Sequence, residues 1–341
     1  MPNLRFYIRT EGSSRVGLGH LFRTLTLARK IKETFGIKPV FWLSGGGVAA
    51  GMVKKSGFSL KIFGPGRSPE QENKALLLNL RNGCLPVLIV DLPRLEGYEN
   101  RRGLLITIVN EKRDTRAGDI VIDVFSQFRK KSFSSPGLYL SGPAYQVLRE
   151  EFLLYRKRYR PRKRLRRILI TFGGSDPYGA TLKLIKIISR LPSGLSFTLL
   201  IGPAFSHRLP AQTRPSNLKI ISSSRQMARL MSQYDLCISG FGVTAYELAC
   251  LGVPTLVVGQ VDRELNFIRH FCRRSGAINL GSHRYLYPGK VKKVLDSVMD
   301  FQVRKKMWSK ARQTVDGRGL ERIIKAIATL VMKAGIKPDD S

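Results

Sequence analysis

Short apolar runs alternate with helical patterns along most of this chain, and no other feature restricts its fold as strongly. In the first half LRFYIR, PVFWLS, LKIFG, PVLIVD, LLITIV and DIVIDVF read as strands, being short, rich in β-branched or aromatic residues, and bounded by turns. Between the first four lie HLFRTLTLARKIKETFG, GGGVAAGMVKKSG and PEQENKALLLNLRNG, which read as helices. The last of these opens with Pro and acidic residues and closes on Gly83. Strand–helix alternation of this kind means βαβ units and a mostly parallel sheet.

The second half repeats the logic. RRILITFGG, SFTLLIG, LKIISS, LCISG, PTLVVG and AINLG are expected strands. TLKLIKIISRL, RQMARLMSQY, GVTAYELACLG and NFIRHFCRRSG are expected helices, with three more between Pro288 and Lys333. Residues 145–167, YQVLREEFLLYRKRYRPRKRLRR, begin as an amphipathic helix and end in a basic run broken by Pro161, as an interdomain linker with solvated charge would. The expected fold class is therefore α/β, with two Rossmann-like domains, 1–157 and 158–341, facing across a cleft. In such sheets ligands bind outside the carboxyl ends of the strands. Glycosyltransferases of the two-Rossmann (GT-B) type share this plan, as do other enzymes, so the plan by itself assigns no function.

Length agrees, since 341 residues are long for a single core. Charge is less discriminating: 59 Lys and Arg stand against 24 Asp and Glu, a net +35. Such a field favours nucleotide phosphates, acidic lipid headgroups or nucleic acid without choosing among them. The four cysteines, Cys84, Cys237, Cys250 and Cys272, form no C-x-x-C pair and suit a reduced compartment. The opening MPNLRFYIRT lacks the apolar run of a signal peptide, and no run nears the roughly 18–20 apolar residues of a membrane span. The expectation is a soluble, cytoplasmic monomer whose basic surface suits peripheral contact with an anionic membrane.

Three stretches carry candidate chemistry. In RVGLGHLFRTLTLARK, residues 15–30, Gly17 and Gly19 permit positive φ and close backbone approach to a ligand. Free N–H groups at the following helix start favour an anion. His20 there is either a capping or packing residue or a general base, because imidazole titrates near neutrality and a helix start favours its neutral form. Arg23, one turn on, faces the same space. In ILITFGGSDPYGATLKL, residues 168–184, Gly173, Gly174, Ser175 and Asp176 form either an anion cradle or an ordinary capped turn.

The third stretch, residues 234–260, delivers Gly240-Phe241-Gly242-Val243-Thr244 into the helix AYELACLG. Glu247 reads either as a capping-box acid or as an acceptor for vicinal ribose hydroxyls. Gln260, Asp262, Glu264 and Asn266 follow the next strand and suit a sugar or a helix cap. Ahead of the linker, Tyr145, Arg149 and Glu150 suit a hinge or a cleft floor. No carboxylate cluster with metal-ligand character is visible, so neither a metal nor another cofactor is expected.

Together GLGHLFRTLTLA, GPAYQVLREEF, ILITFGGSDP, ISGFGVTAYELACLGVPTLVV and the following ELN resemble one family, in order, over roughly residues 5–275. The chain resembles the UDP-2,4-diacetamido-2,4,6-trideoxy-β-L-altropyranose hydrolases of pseudaminic acid biosynthesis, and the related glycosyltransferase-like proteins of spore-coat polysaccharide synthesis. Its C-terminal half is also similar to the N-acetylglucosaminyltransferase that makes the lipid precursor of peptidoglycan. The resemblance implies a metal-independent enzyme that releases UDP from a nucleotide sugar by C–O cleavage at the anomeric carbon. By position it implies His20 as the base that activates water. Gly17 and Gly19 would face phosphate, with Gly174 and Ser175 on the UDP side. Gly242, Val243 and Thr244 would hold the diphosphate, and Glu247 the ribose. Arg9, Arg23, Asp91, Tyr145 and Asn266 would lie on the sugar side.

The chain departs from the family where Arg9-Thr10-Glu11 replaces Arg-Ala-Asp, where Asp91 precedes Leu92-Pro93 without the usual tyrosine, and where Phe241 interrupts a glycine pair. The first two departures fall on the sugar side. The leading expectation is hydrolysis of a UDP-sugar in nonulosonic acid or surface polysaccharide biosynthesis. The alternative is transfer of the sugar to a polysaccharide or lipid-linked acceptor, whose hydroxyl His20 would then deprotonate. A nucleic-acid-binding protein is the distant third reading, since charge alone argues for it and no nucleic-acid motif is present.

Overall fold

The computed structural model describes residues 3–14, 16–44, 46–63, 71, 74, 84–92, 103–109, 118–125, 137–191, 194–209, 215–222, 224 and 226–334. The expected helix at 69–83 lies outside the described residues, apart from Gln71 and Lys74. The chain divides into two compact units, residues 1–147 with 318–341 and residues 148–317.

The first unit carries a parallel sheet in the order β3-β2-β1-β4-β5-β6-β7. Its strands are β1 (Asn3–Glu11), β2 (Val40–Ser44), β3 (Ser59–Phe63), β4 (Cys84–Asp91), β5 (Leu104–Ile108), β6 (Ile120–Asp123) and β7 (Leu138–Ser141). The helices α1 (Gly19–Phe35) and α2 (Val48–Lys55) follow β1 and β2. The strand order reverses at β1, whose neighbours are β2 and β4. That places the carboxyl ends of β1 and β4 side by side at a topological switch point, with Thr10 in register with Asp91. The central strands β1, β2, β4, β5 and β6 are largely buried on both faces, as central parallel strands must be, whereas the edge strand β3 exposes Lys61 and Ile62. Strand β7 was not anticipated; LYLS is four residues long and only one of them is fully buried, so its apolar signal is weak.

The second unit carries a parallel sheet in the order β10-β9-β8-β11-β12-β13. These strands are β8 (Arg167–Thr171), β9 (Ser196–Ile201), β10 (Leu218–Ser222), β11 (Leu236–Gly240), β12 (Thr255–Gly259) and β13 (Ile278–Ser282). Its helices are α3 (Glu151–Arg158), α4 (Ala180–Ile188), α5 (Met227–Met231), α6 (Val243–Leu251), α7 (Leu265–Ser275), α8 (Pro288–Met299) and α9 (Phe301–Thr314). A last helix, α10 (Gly319–Lys333), belongs to the first unit. Here β8 and β11 are the neighbours at the switch point, so the loops after these two strands emerge together.

Two sequence-based boundaries move. A cut at 157/158 falls inside α3, which packs on α6 and is part of the second unit. The basic stretch that follows keeps its charged side chains exposed, as expected, but its backbone is anchored. Arg162 donates to Asp235 at 3.0 Å, and the amides of Arg166 and Arg167 donate to the same carboxylate. The buried Arg304 donates to the carbonyls of Arg162 and Lys163 at 2.9 and 2.8 Å. Spreading arginine donors over backbone carbonyls satisfies both partners, so the backbone of a run that reads as a linker is held in place while its charges stay in solvent. At the other end, α10 returns to the first unit. Gly319 sits so close to the Gln146 backbone that a Cβ would collide with its carbonyl oxygen, and Arg322 donates to the Ala144 carbonyl at 2.8 Å.

Candidate functional site

The first unit builds its candidate site where β1 ends. Gly12 lies against Leu18, Leu21 and Ala49 with no room to spare, a Cβ there meeting two of them at 3.2 Å. Ser13 and Gly17 then close a tight turn with a reciprocal pair of backbone hydrogen bonds, Gly17 at φ +93°. That left-handed geometry is one that glycine adopts without penalty. The buried Leu18 anchors the turn and hands the chain to α1. The start of α1 has no side-chain cap and no acidic residue in its first turn, and Gly19 is exposed there.

His20 stands in this first turn. Its Nδ1 lies 2.7 Å from Asp91 Oδ1. Arg23 grips the same carboxylate in a fork, Nε to Oδ2 at 2.6 Å and a terminal guanidinium nitrogen to Oδ1 at 2.5 Å. Asp91 is fully buried. Burial by itself would raise its carboxyl, but the Arg23 charge, with the hydrogen bonds from Arg23 and His20, outweighs that and holds it well below the usual carboxylate range. An ionised Asp91 can only accept. The short Nδ1 contact therefore assigns the imidazole proton to Nδ1, and the lone pair to Nε2. The His20 side chain keeps 17% of its surface exposed, and among the described residues no protein group hydrogen-bonds Nε2. An oriented imidazole with an open Nε2 backed by a buried carboxylate is equipped to accept a proton.

Arg23 and Asp91, expected on the sugar side, are thus buried and bonded to each other and to His20. Arg9 is also buried. It donates to the carbonyls of Thr10 and Trp42 and to the Ser44 hydroxyl, and lies over the Phe63 ring at 5.6 Å. Glu11, beside it, ends β1 half-buried. Tyr145 is half-buried on a 3-10 turn, Pro143–Tyr145, just after β7. The structure brings His20, Arg23 and Asp91 together and puts Arg9 into the packing of the sheet end. Pro93, part of the Asp91 departure, lies outside the described residues.

In the second unit the two candidate anion loops differ. After β8, Asp176 adopts a left-handed φ of +45° and turns its carboxylate onto the start of α4, accepting from the amides of Ala180 and Thr181 at 3.0 and 2.8 Å. Gln260 Nε2 donates to the same carboxylate at 2.8 Å, and His207 Nε2 donates to the Asp176 carbonyl at 2.7 Å. Gly202 packs so tightly beneath that a Cβ would strike the carbonyls of Gly173 and Gly174. The α4 amides are thereby spent on Asp176. Gly174 and Ser175 sit in a capped turn, Ser175 buried.

After β11 the helix start is open. Gly242 leads into α6 at φ +115°, with no side-chain cap, no acidic residue in the first turn, and empty space where a Cβ would be. Phe241 does not obstruct it. Its ring packs with Tyr246 at 6.0 Å and Phe271 at 5.8 Å. Val243 and Thr244 are half-buried, and the Thr244 hydroxyl lies near Gly173 of the neighbouring loop. Unspent N–H groups and the positive helix end suit an anion here.

Glu247 sits one turn on, buried, and accepts from Arg149 at 2.9 Å through Oε1. Burial pushes its carboxyl up, Arg149 pulls it down, and Glu151 pushes it up again, for a net rise. Asn266, by contrast, is exposed on α7 and accepts from Arg269 at 3.2 Å. The sequence carried no local signal for His207 or for the Gln260–Asp176 link, which pair residues 31 and 84 positions apart. Among the described residues no cluster of three His, Cys, Asp or Glu side chains could hold a metal ion, and no helix is long and apolar enough to cross a membrane.

No protein-family model matches the chain. It is 24% identical to the spore coat polysaccharide biosynthesis protein SpsG of Bacillus subtilis over 339 residues, covering 93% of this chain and 95% of that protein. It is 28% identical over 277 residues to an uncharacterized protein of Methanocaldococcus jannaschii, covering 75% of this chain and 56% of that longer protein. Of the latter, the chain therefore spans little more than half. Among solved structures, MurG of Acinetobacter baumannii aligns over 96% of this chain and 99% of its own, with a TM-score of 0.61 at 15% identity. HepE of Anabaena, solved with UDP and glucose, aligns over 94% of this chain and 99% of its own, with a TM-score of 0.56 at 11% identity. The chain is a homologue of SpsG with a two-domain α/β fold of the GT-B type. The two parallel sheets, each with a switch point between its first strand and its fourth, are the structural content of that likeness.

Proposed function

We propose that this SpsG homologue is a nucleotide-sugar enzyme that moves a glycosyl group from a UDP-sugar to a hydroxyl acceptor, with His20 as general base. The observation that carries the reading is the Arg23–Asp91–His20 chain, which fixes the imidazole with Nε2 open. In the proposed step the acceptor oxygen attacks the anomeric carbon as its proton passes to Nε2. The bond from that carbon to the β-phosphate oxygen breaks, and UDP leaves with the electron pair. The open start of α6 would neutralise the charge that develops on the diphosphate, and Glu247 would accept from the ribose hydroxyls. The choice of UDP is supported by HepE, which shares the fold and was solved with UDP and glucose.

Hydrolysis is the second reading, favoured by the GLGHLFRTLTLA segment and its family resemblance. The same base would then activate water. The deciding experiment follows UDP release by phosphorus NMR from UDP-2,4-diacetamido-2,4,6-trideoxy-β-L-altropyranose without acceptor. Release that collapses in His20→Ala makes the protein a hydrolase. UDP binding without release supports the transferase, and absence of UDP binding refutes both.

A further inference from the structure

Arg149 opens the second unit, two residues ahead of α3, and its guanidinium spans two carboxylates. One terminal nitrogen pairs with Glu151 Oε1 at 2.9 Å, and the other donates to Glu247 Oε1, also at 2.9 Å. The planar group lies over the ring of the fully buried Phe152 at 5.1 Å, and α3 packs directly on α6, so its position is set from below. The Glu247 side chain is 9% exposed. Among the described residues no protein donor reaches its Oε2.

We propose that Arg149 is a positioning residue for nucleotide recognition: by holding Oε1 it fixes the Glu247 carboxylate so that Oε2 is the oxygen left to accept a ribose hydroxyl. The proposal rests on the reading of Glu247 as the ribose acceptor. A carboxylate at the end of a glutamate rotates about a soft terminal torsion, and a guanidinium itself held by Glu151 and Phe152 restricts that freedom by gripping Oε1 before a ligand arrives. Arg149 also supplies the positive charge that a buried carboxylate needs to stay ionised as an acceptor. Glu151 takes a share of that charge, so the two glutamates compete for one arginine. Neither feature is visible in the helix alone, because Arg149 and Glu247 are 98 positions apart.

The test is calorimetric titration of the full chain with UDP and with 2′,3′-dideoxyuridine diphosphate, which lacks both ribose hydroxyls. Wild type should prefer UDP. R149Q should lose about tenfold or more for UDP, the scale of a charge-assisted hydrogen bond, while its affinity for the dideoxy compound changes by less than about twofold. R149K keeps the charge without the fork and should recover part of the UDP affinity. Equal losses for both ligands, or no loss for either, overturn the proposal. Equal binding of both ligands by wild type overturns the ribose role of Glu247 itself. Should R149Q fail to fold, R149K alone decides, since a positioning role requires a UDP loss that the dideoxy compound does not share.

Discussion

His20 and Asp91 meet at 2.7 Å from positions 71 residues apart, one in the first turn of α1 and the other at the end of β4. Arg23, one helical turn from His20, reaches the same carboxylate, so the aspartate is shared by two partners on one helix face.

Replacing His20 with Ala should lower turnover of the accepted UDP-sugar by about 10²–10⁴-fold, the usual share of a general base, while leaving UDP affinity unchanged. Asp91→Asn should lower turnover by at least about a hundredfold, because an amide can hold the opposite imidazole tautomer. Phosphorus NMR of UDP release and calorimetric UDP titration separate the two effects. A His20→Ala protein that turns over normally ends the proposed mechanism.

Asp91 also governs acid stability. Its carboxyl is depressed in the folded protein, so its contribution is present above the unfolded value of 3.8 and is lost as pH falls toward the folded one. At neutral pH Asp91→Asn should cost about 3 kcal/mol, since Arg23 would be left buried without its counter-charge. Urea unfolding from pH 7 down to pH 3 should show the gap between wild type and variant narrowing below about pH 4.

Glu247 runs the other way. Its carboxyl is raised in the folded protein, so the stabilisation from its protonated form is present below the unfolded value of 4.5 and is lost as pH rises through the folded one. Relative to Glu247→Gln, wild type should therefore lose stability on going from pH 5 to pH 8. Parallel denaturant titrations across that range check the slope, and a gap that widens in favour of wild type contradicts it.

Asp176→Ala should cost about 1–2 kcal/mol through loss of the cap on α4. Asp176→Asn should cost less, since asparagine tolerates the left-handed backbone and keeps one acceptor oxygen. Thermal unfolding of the three proteins orders them.

Gly319→Ala should destabilise the chain by about 2 kcal/mol or more, because the new methyl meets backbone that cannot yield. Gly46→Ala is the control; a Cβ there meets nothing within 4 Å, and its effect should stay within about 0.5 kcal/mol. Comparable losses in both variants would show that crowding at Gly319 is not what sets the cost.

Most of the architecture was legible in the chain because parallel strands buried on both faces must be continuous apolar runs, and PVLIVD or LCISG can hardly be anything else. Strand β7 was not, since LYLS exposes Leu138 and offers little apolar signal. At the site, the glycine-rich entry to α1 marked His20, and Gly242 marked the open start of α6, because both depend on backbone geometry that local sequence controls.

What the sequence determined by itself was therefore local: which runs pair as strands, where helices start, and where glycine frees the backbone. What only the tertiary structure decided was which charges meet. The sequence could place Arg9, Arg23 and Asp91 near a strand end, but not say that Arg23 pairs with Asp91, which in turn holds His20, while Arg9 is absorbed by backbone carbonyls and the Ser44 hydroxyl. Nor could it show that Asp176 occupies one helix start and leaves the other open, or that α10 returns to the first unit after the whole of the second. Hydrogen bonds and ion pairs act over a few ångströms, whereas their partners here lie tens of residues apart, and only the folded sheets bring them within reach.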